Sequence, residues 1–264
     1  MRGATVRAMA LALLATACAQ DRSGAQALAQ RVRGAENGIV ELSYASRPGV
    51  CGDGRRYFSL GRRTFFGEWS GDGTRAPCVP GPARVRMRVE RGTITDLKVV
   101  VGPAVSHSER ATDLGAVSGT EAASFFLSLA DTASTSATHG AIVAAVLADS
   151  ASVWRRLLAI ATDTSRAARS TRRDAMFWVG RFAAAKVTGH GEDLAEIGDD
   201  DDRDDTRDAA VFALSQLRGK QGVEPLLQIA RSHKDPQLRQ KAIFWLGQSG
   251  DPRAVRLFRE ILQG

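Results

Sequence analysis

Two hydrophobic periods divide the chain. Residues 84–89 read Arg84-Val85-Arg86-Met87-Arg88-Val89, a strict alternation that puts three apolar side chains on one face of a strand and three arginines on the other. Arg91-Gly92 then supplies turn chemistry, and the β-branched run Thr93–Val101 returns as the partner strand of a hairpin. Residues 39–44 carry a further apolar, partly β-branched segment, and Gly and Pro punctuate the stretch up to about residue 102. From Ser118 the period becomes helical. Ser118-Gly119-Thr120-Glu121 has the spacing of a capping box, and Asp235-Pro236 and Asp251-Pro252 each set an N-cap aspartate before a first-turn proline. Residues 104–118 show neither period and are expected to link the halves, as are residues 20–37 before the first strand.

The helical half repeats itself. Ala175-Met176-Phe177-Trp178, Ala210-Val211-Phe212-Ala213 and Ala242-Ile243-Phe244-Trp245 recur at intervals of roughly 35 and 32 residues, with a fainter copy from Ala141. Each copy follows another apolar helix, centred on Phe126/Leu129, Leu157/Leu158, Leu194/Ile197 and Leu226/Leu227. A final helix bearing Val255, Phe258 and Leu262 is suited to closing the stack. Paired helices at this period stack because neither buries its apolar stripe alone.

On these residues, residues 119–264 resemble the HEAT repeat family, including its HEAT-like, phycobilisome-lyase-type subgroup. The best match is Arg239-Gln240-Lys241-Ala242-Ile243-Phe244-Trp245-Leu246-Gly247; Arg172-Arg173-Asp174-Ala175 and Arg207-Asp208-Ala209-Ala210 follow it closely. The resemblance implies an α-solenoid of about four helix pairs, used as a binding surface for a protein or peptide. The expected fold class is therefore α+β as separate parts: a small antiparallel β unit at 38–103, then an all-α HEAT-like solenoid. Residues 38–103 resemble no family.

The first residues read as an address. Arg2 and Arg7 precede the apolar stretch 8–17, and small residues surround Cys18. This is the layout of a secretory signal at 1–19, too short to span a bilayer as a helix, with an N-terminal helix of a cytosolic protein the alternative. Two maturation routes are open: cleavage to a soluble form, or lipidation of Cys18 as in a lipoprotein. On the export reading, either route leads to the periplasm or cell envelope as the expected location. Cys51 and Cys78 then remain, and an exported chain is expected to join them in a disulfide, with two buried thiols the alternative.

The chain has 264 residues, 44% hydrophobic and 25% charged, which excludes a collagen, a disordered tail and a polytopic membrane protein. Its net charge of +7 is concentrated in the N-terminal half and carried mostly by arginine. In an exported protein this does not indicate nucleic acid. An arginine face built from Arg84, Arg86, Arg88, Arg55, Arg56, Arg62 and Arg63 suits either a solvated strand surface or an anionic envelope polymer, glycan or lipid head group.

Phe177, Phe212 and Phe244 occupy equivalent repeat positions. They are candidate partner-binding anchors on a concave wall, with Arg173, Arg207 and Arg239 as rim charges; packing between neighbouring second helices is the alternative. The acidic run Asp199–Asp202, Asp204, Asp205 and Asp208 lacks the turn glycine of a calcium loop and is expected to be a solvated inter-helix segment. Gly52-Asp53-Gly54 and Gly71-Asp72-Gly73 are expected as tight turns. No metal or cofactor is expected. The sequence holds no His-x-x-x-His pair, nucleophile elbow or phosphate-cradling loop, so a lyase- or hydrolase-type enzyme is the weakest expectation.

Overall fold

A computed structural model of the chain describes residues 24–35, 37–60, 64–67, 78–105, 110–131, 135–149, 151–163, 169–187, 211–217 and 220–264. The alternating segment is strand β6 (Ala83–Glu90), with β7 (Thr93–Val101) its hairpin partner. Ala83, Val85, Met87 and Val89 are buried as the alternation requires. Arg91 and Gly92 close the hairpin with φ of 52° and 73°, the left-handed pair of a type I′ turn. Strand β1 (Asn37–Tyr44) lies antiparallel to β6 on one side and parallel to β8 (Ala111–Ala116) on the other, giving the order β7-β6-β1-β8.

Strand β8 corrects two expectations. The sheet is mixed rather than purely antiparallel, and part of the presumed linker 104–118 is strand. The sequence of β8, ATDLGA, hides this because an exposed edge strand needs no alternation. The presumed linker 20–37 likewise contains a helix at 24–33 (α1), whose Leu28 and Val32 are fully buried.

A second sheet has the order β4-β3-β2-β5: β2 is Val50–Gly52, β3 Tyr57–Leu60, β4 Thr64–Gly67 and β5 Val79–Pro80. Cys51 and Cys78 are disulfide-bonded beside the β2–β5 pairing. The Asp53 carboxylate accepts the backbone N–H groups of Arg55, Arg56 and Tyr57 at 2.9–3.1 Å, and Gly54 has φ of 73°. This is the expected tight turn. Gly71-Asp72-Gly73, Arg62 and Arg63 lie outside the described residues.

The helical half follows as α2 (Gly119–Ala130), α3 (Thr135–Leu147), α4 (Trp154–Thr162), α5 (Arg169–Val187), residues 211–215 (α6), α7 (Val223–Ser232), α8 (Pro236–Ser249) and α9 (Pro252–Gln263). The sequence caps act as written. Ser118 Oγ accepts from Glu121 N, and Asp235 and Asp251 accept from Gln237 N and Arg253 N, each aspartate followed by proline.

The fold is α+β in sequence order, yet the two halves share one core. Helix α3 lies on β7, and at Gly140 the approach is so close that a Cβ would sit 2.8 Å from the Leu97 carbonyl oxygen. Tyr44, buried at the end of β1, donates its hydroxyl to Ala144 O at 2.6 Å. Its burial, with no compensating charge, pushes the phenol pKa far above the ordinary value. Arg47 N donates to Leu147 O and Arg47 Nε to Val146 O, tying the segment after β1 to the C-terminal end of α3. These bonds satisfy helix-end carbonyls that would otherwise be orphaned.

Candidate functional site

Repeat position sets up an aromatic strip across α5, α6 and α8. The Phe177 and Phe244 ring centroids are 6.2 Å apart at 77°, Phe244 and Trp245 5.1 Å at 79°, and Trp245 and Phe212 5.2 Å at 57°. Trp178, buried, anchors the far end against Phe177 at 5.2 Å. Edge-to-face contacts of this kind are each worth about 0.5–1.5 kcal/mol beyond burial, so the rings hold one another in place. Phe212 is 49% exposed and Leu217, just beyond α6, is 46% exposed; Phe177, Phe244 and Trp245 are half-buried. The strip therefore combines packing and accessibility. Its inner rings pack on neighbouring helices while Phe212 presents an apolar face to solvent.

The strip does not run in repeat order. Helix α5 packs directly on α8, with Gly180 and Gly247 in close approach: a Cβ on Gly180 would lie 3.4 Å from Gly247 Cα. Phe177 thus meets Phe244, and Phe212 joins from the side through Trp245. A simple helical projection of α8 places Trp245 on the buried stripe. Leu238, Ala242 and Leu246 of that stripe are buried, Ile243 and Gly247 join them, and Trp245 is half-buried.

The rim charges divide. Arg173 is exposed and stands one turn before Phe177 on α5. Arg239 is half-buried and donates to His233 O at 2.7 Å and Lys234 O at 3.3 Å, bracing the α7–α8 connection. Arg207 lies outside the described residues, as do Cys18 and the acidic run at 199–208. On the sheet, Arg84 donates to the Gly102 and Pro103 carbonyls and Arg86 pairs with Glu41 at 3.3 Å, so two arginines of the expected basic face serve the fold. Arg88, Arg55 and Arg56 are exposed.

Sequence reasoning missed a second feature beside the strip. Arg169 and Arg172 join Arg173 along α5, and Lys220 approaches them from the turn before α7. Their spacing of three and four residues on one helix was the available signal; the arrival of Lys220 was not legible.

Ionisable groups around the helices have identifiable settings. The Asp174 carboxylate, accepting from His139 Nδ1 at 3.1 Å, raises the His139 pKa and joins α3 to α5. Hydrogen bonding from Arg253 holds the Asp251 carboxyl down at about 2, assisted by Lys220 at 3.6 Å. Burial lowers the Arg181 guanidinium to about 10. Among the described residues no three His, Cys, Asp or Glu side chains gather as metal ligands, and no helix is long and apolar enough to cross a membrane.

Comparison with known proteins agrees with the helical architecture. No curated protein and no solved structure matches the chain. A family model described as HEAT repeats matches residues 191–264, while the N-terminal half matches no family. HEAT repeats generally act without catalysis, as helical scaffolds or protein-binding modules. Residues 191–264 of this chain are thus similar to HEAT repeats.

Proposed function

We propose that this protein is an exported, non-catalytic scaffold that docks a protein or peptide partner on the aromatic strip of Phe177, Phe244, Trp245 and Phe212. The observation carrying the proposal is the strip itself: mutually braced rings ending in a half-exposed phenylalanine. Rigid aromatic side chains make good anchors because little conformational freedom is lost when a partner covers them. Arg173 at the border would steer partner choice by charge. Export draws support from the signal-like residues 1–19 and from the Cys51–Cys78 disulfide, a bond favoured in oxidising compartments. The cell envelope is the proposed location, with Cys18 the candidate lipid anchor.

Phe212→Ala tests the docking role, because this ring contributes least to the core. Crosslinked partners recovered from envelope extract by the wild-type chain should be lost with the variant, and affinity for a purified partner should fall by about 2 kcal/mol. Unchanged partners at unchanged affinity would move the binding site elsewhere. Mass spectrometry of the mature N-terminus tests export: an intact Met1 would reject it, and a lipid adduct on Cys18 would establish the anchor.

A further inference from the structure

We propose that a groove beside the aromatic strip receives an acidic segment of the partner polypeptide, so that the docking face selects carboxylates and apolar anchors together. The inference rests on the docking proposal and specifies the partner's chemistry.

The groove has a volume of about 810 Å³ and lies where α4 ends, α5 begins and α8 turns into α9. Arg169, Arg172, Arg173 and Lys220 line it, and Met176 and Val255 contribute an apolar floor. No carboxylate lines it among the described residues. Arg169, Arg173 and Lys220 are exposed. Among the described residues, the Arg169 and Arg173 side chains have no ion-pair partner. Lys220 faces Asp251 at 3.6 Å, but that buried carboxylate is already held by Arg253 Nε at 3.0 Å. Concentrating like charges in a concave surface raises the local potential and with it the attraction for an anion.

Geometry joins the groove to the strip. Arg173 precedes Phe177 by four residues on α5, and the groove residue Gln248 follows Phe244 by four on α8; positions four apart share a helix face. A ligand spanning both would set a carboxylate roughly 6 Å from an apolar anchor, the spacing of neighbouring side chains on a polypeptide. The apolar floor between the cations suits mixed acidic and apolar side chains better than a uniformly charged polymer.

A displayed library of random twelve-residue peptides, selected on the full chain, tests this directly. Peptides carrying Asp or Glu beside apolar residues should be enriched. Fluorescence anisotropy should show their affinity falling at least tenfold when their acids become amides, and tenfold again for Arg169→Glu/Arg173→Glu, all altered positions being exposed. Circular dichroism of each variant confirms that the fold persists. Enrichment of neutral or basic peptides, binding that survives charge reversal, or no enrichment at all would overturn the proposal. Binding of phosphatidylglycerol-containing vesicles through the same arginines, with no peptide selected, would overturn it in favour of a lipid surface. A parallel Phe212→Ala selection separates the two readings. Loss there with indifference to charge reversal leaves the strip and removes the groove; the opposite pattern leaves the groove and removes the strip.

Discussion

Replacing Gly140 by alanine should destabilise the protein, although helix propensity alone predicts the reverse. In a helix interior, alanine is favoured over glycine by about 1 kcal/mol. A Cβ at Gly140, however, would lie 2.8 Å from both the Leu97 Cδ2 and the Leu97 carbonyl oxygen. The methyl can swing aside, but the oxygen cannot, because Leu97 sits in β7 in register with Met87 of β6. Overpacking against such a wall costs about 1–3 kcal/mol. The net expectation is a loss of about 1 kcal/mol. Gly247 is the internal control. A Cβ there meets Met176 O at 3.6 Å and Gly180 Cα at 3.7 Å, ordinary contact distances, so Gly247→Ala should be neutral or gain up to about 1 kcal/mol. Urea unfolding followed by far-UV circular dichroism reads both, with equal slopes showing that only stability changed. A Gly140→Ala protein as stable as the wild type, or more so, would refute the close seating of α3 on the sheet.

Tyr44→Phe should cost about 1–2 kcal/mol, since it removes a buried hydrogen bond to Ala144 O; an unchanged unfolding midpoint would deny that bond. Reducing the Cys51–Cys78 bridge, with its sequence separation of 27, should remove about 3.5 kcal/mol by the chain-entropy relation, read as a lower midpoint in dithiothreitol than in the oxidised protein. The His139–Asp174 contact raises the histidine pKa, so its contribution is complete below the unfolded value near 6.5 and fades as pH rises through the elevated folded value. Solvent screening limits it to about 0.5 kcal/mol, and His139→Gln should flatten that part of the stability–pH profile. Asp251 has the opposite sign. Its lowered pKa supplies stability above about pH 4 that is lost as pH falls toward 2, and Asp251→Ala should remove this acid dependence and about 1 kcal/mol of capping besides.

Local chemistry was legible where one segment dictates its own conformation. The β6–β7 hairpin, the Asp53 turn and the caps at Ser118, Asp235 and Asp251 each depend on residues within a few positions of one another. Strand β8 was not legible, because its partner β1 lies far away in sequence and its exposed side chains carry no period. The three repeat phenylalanines could be found by periodicity. Their order in space could not, since it depends on α5 reaching α8 directly. Arg239 looked like a rim charge because its pattern gives no sign that carbonyls at the α7–α8 corner would claim it.

The seating of α3 on β7 gives the sheet an architectural duty. An array of stacked helices exposes apolar surface at an unfinished end, where a second molecule could add itself indefinitely. Here the sheet acts as an end-plate over the earliest helices, so that side of the array offers no sticky terminus. On α9, which packs against α5, Arg256, Arg259 and Glu260 face water. With α3 covered in this way, head-to-tail addition of a second molecule against that helix is disfavoured.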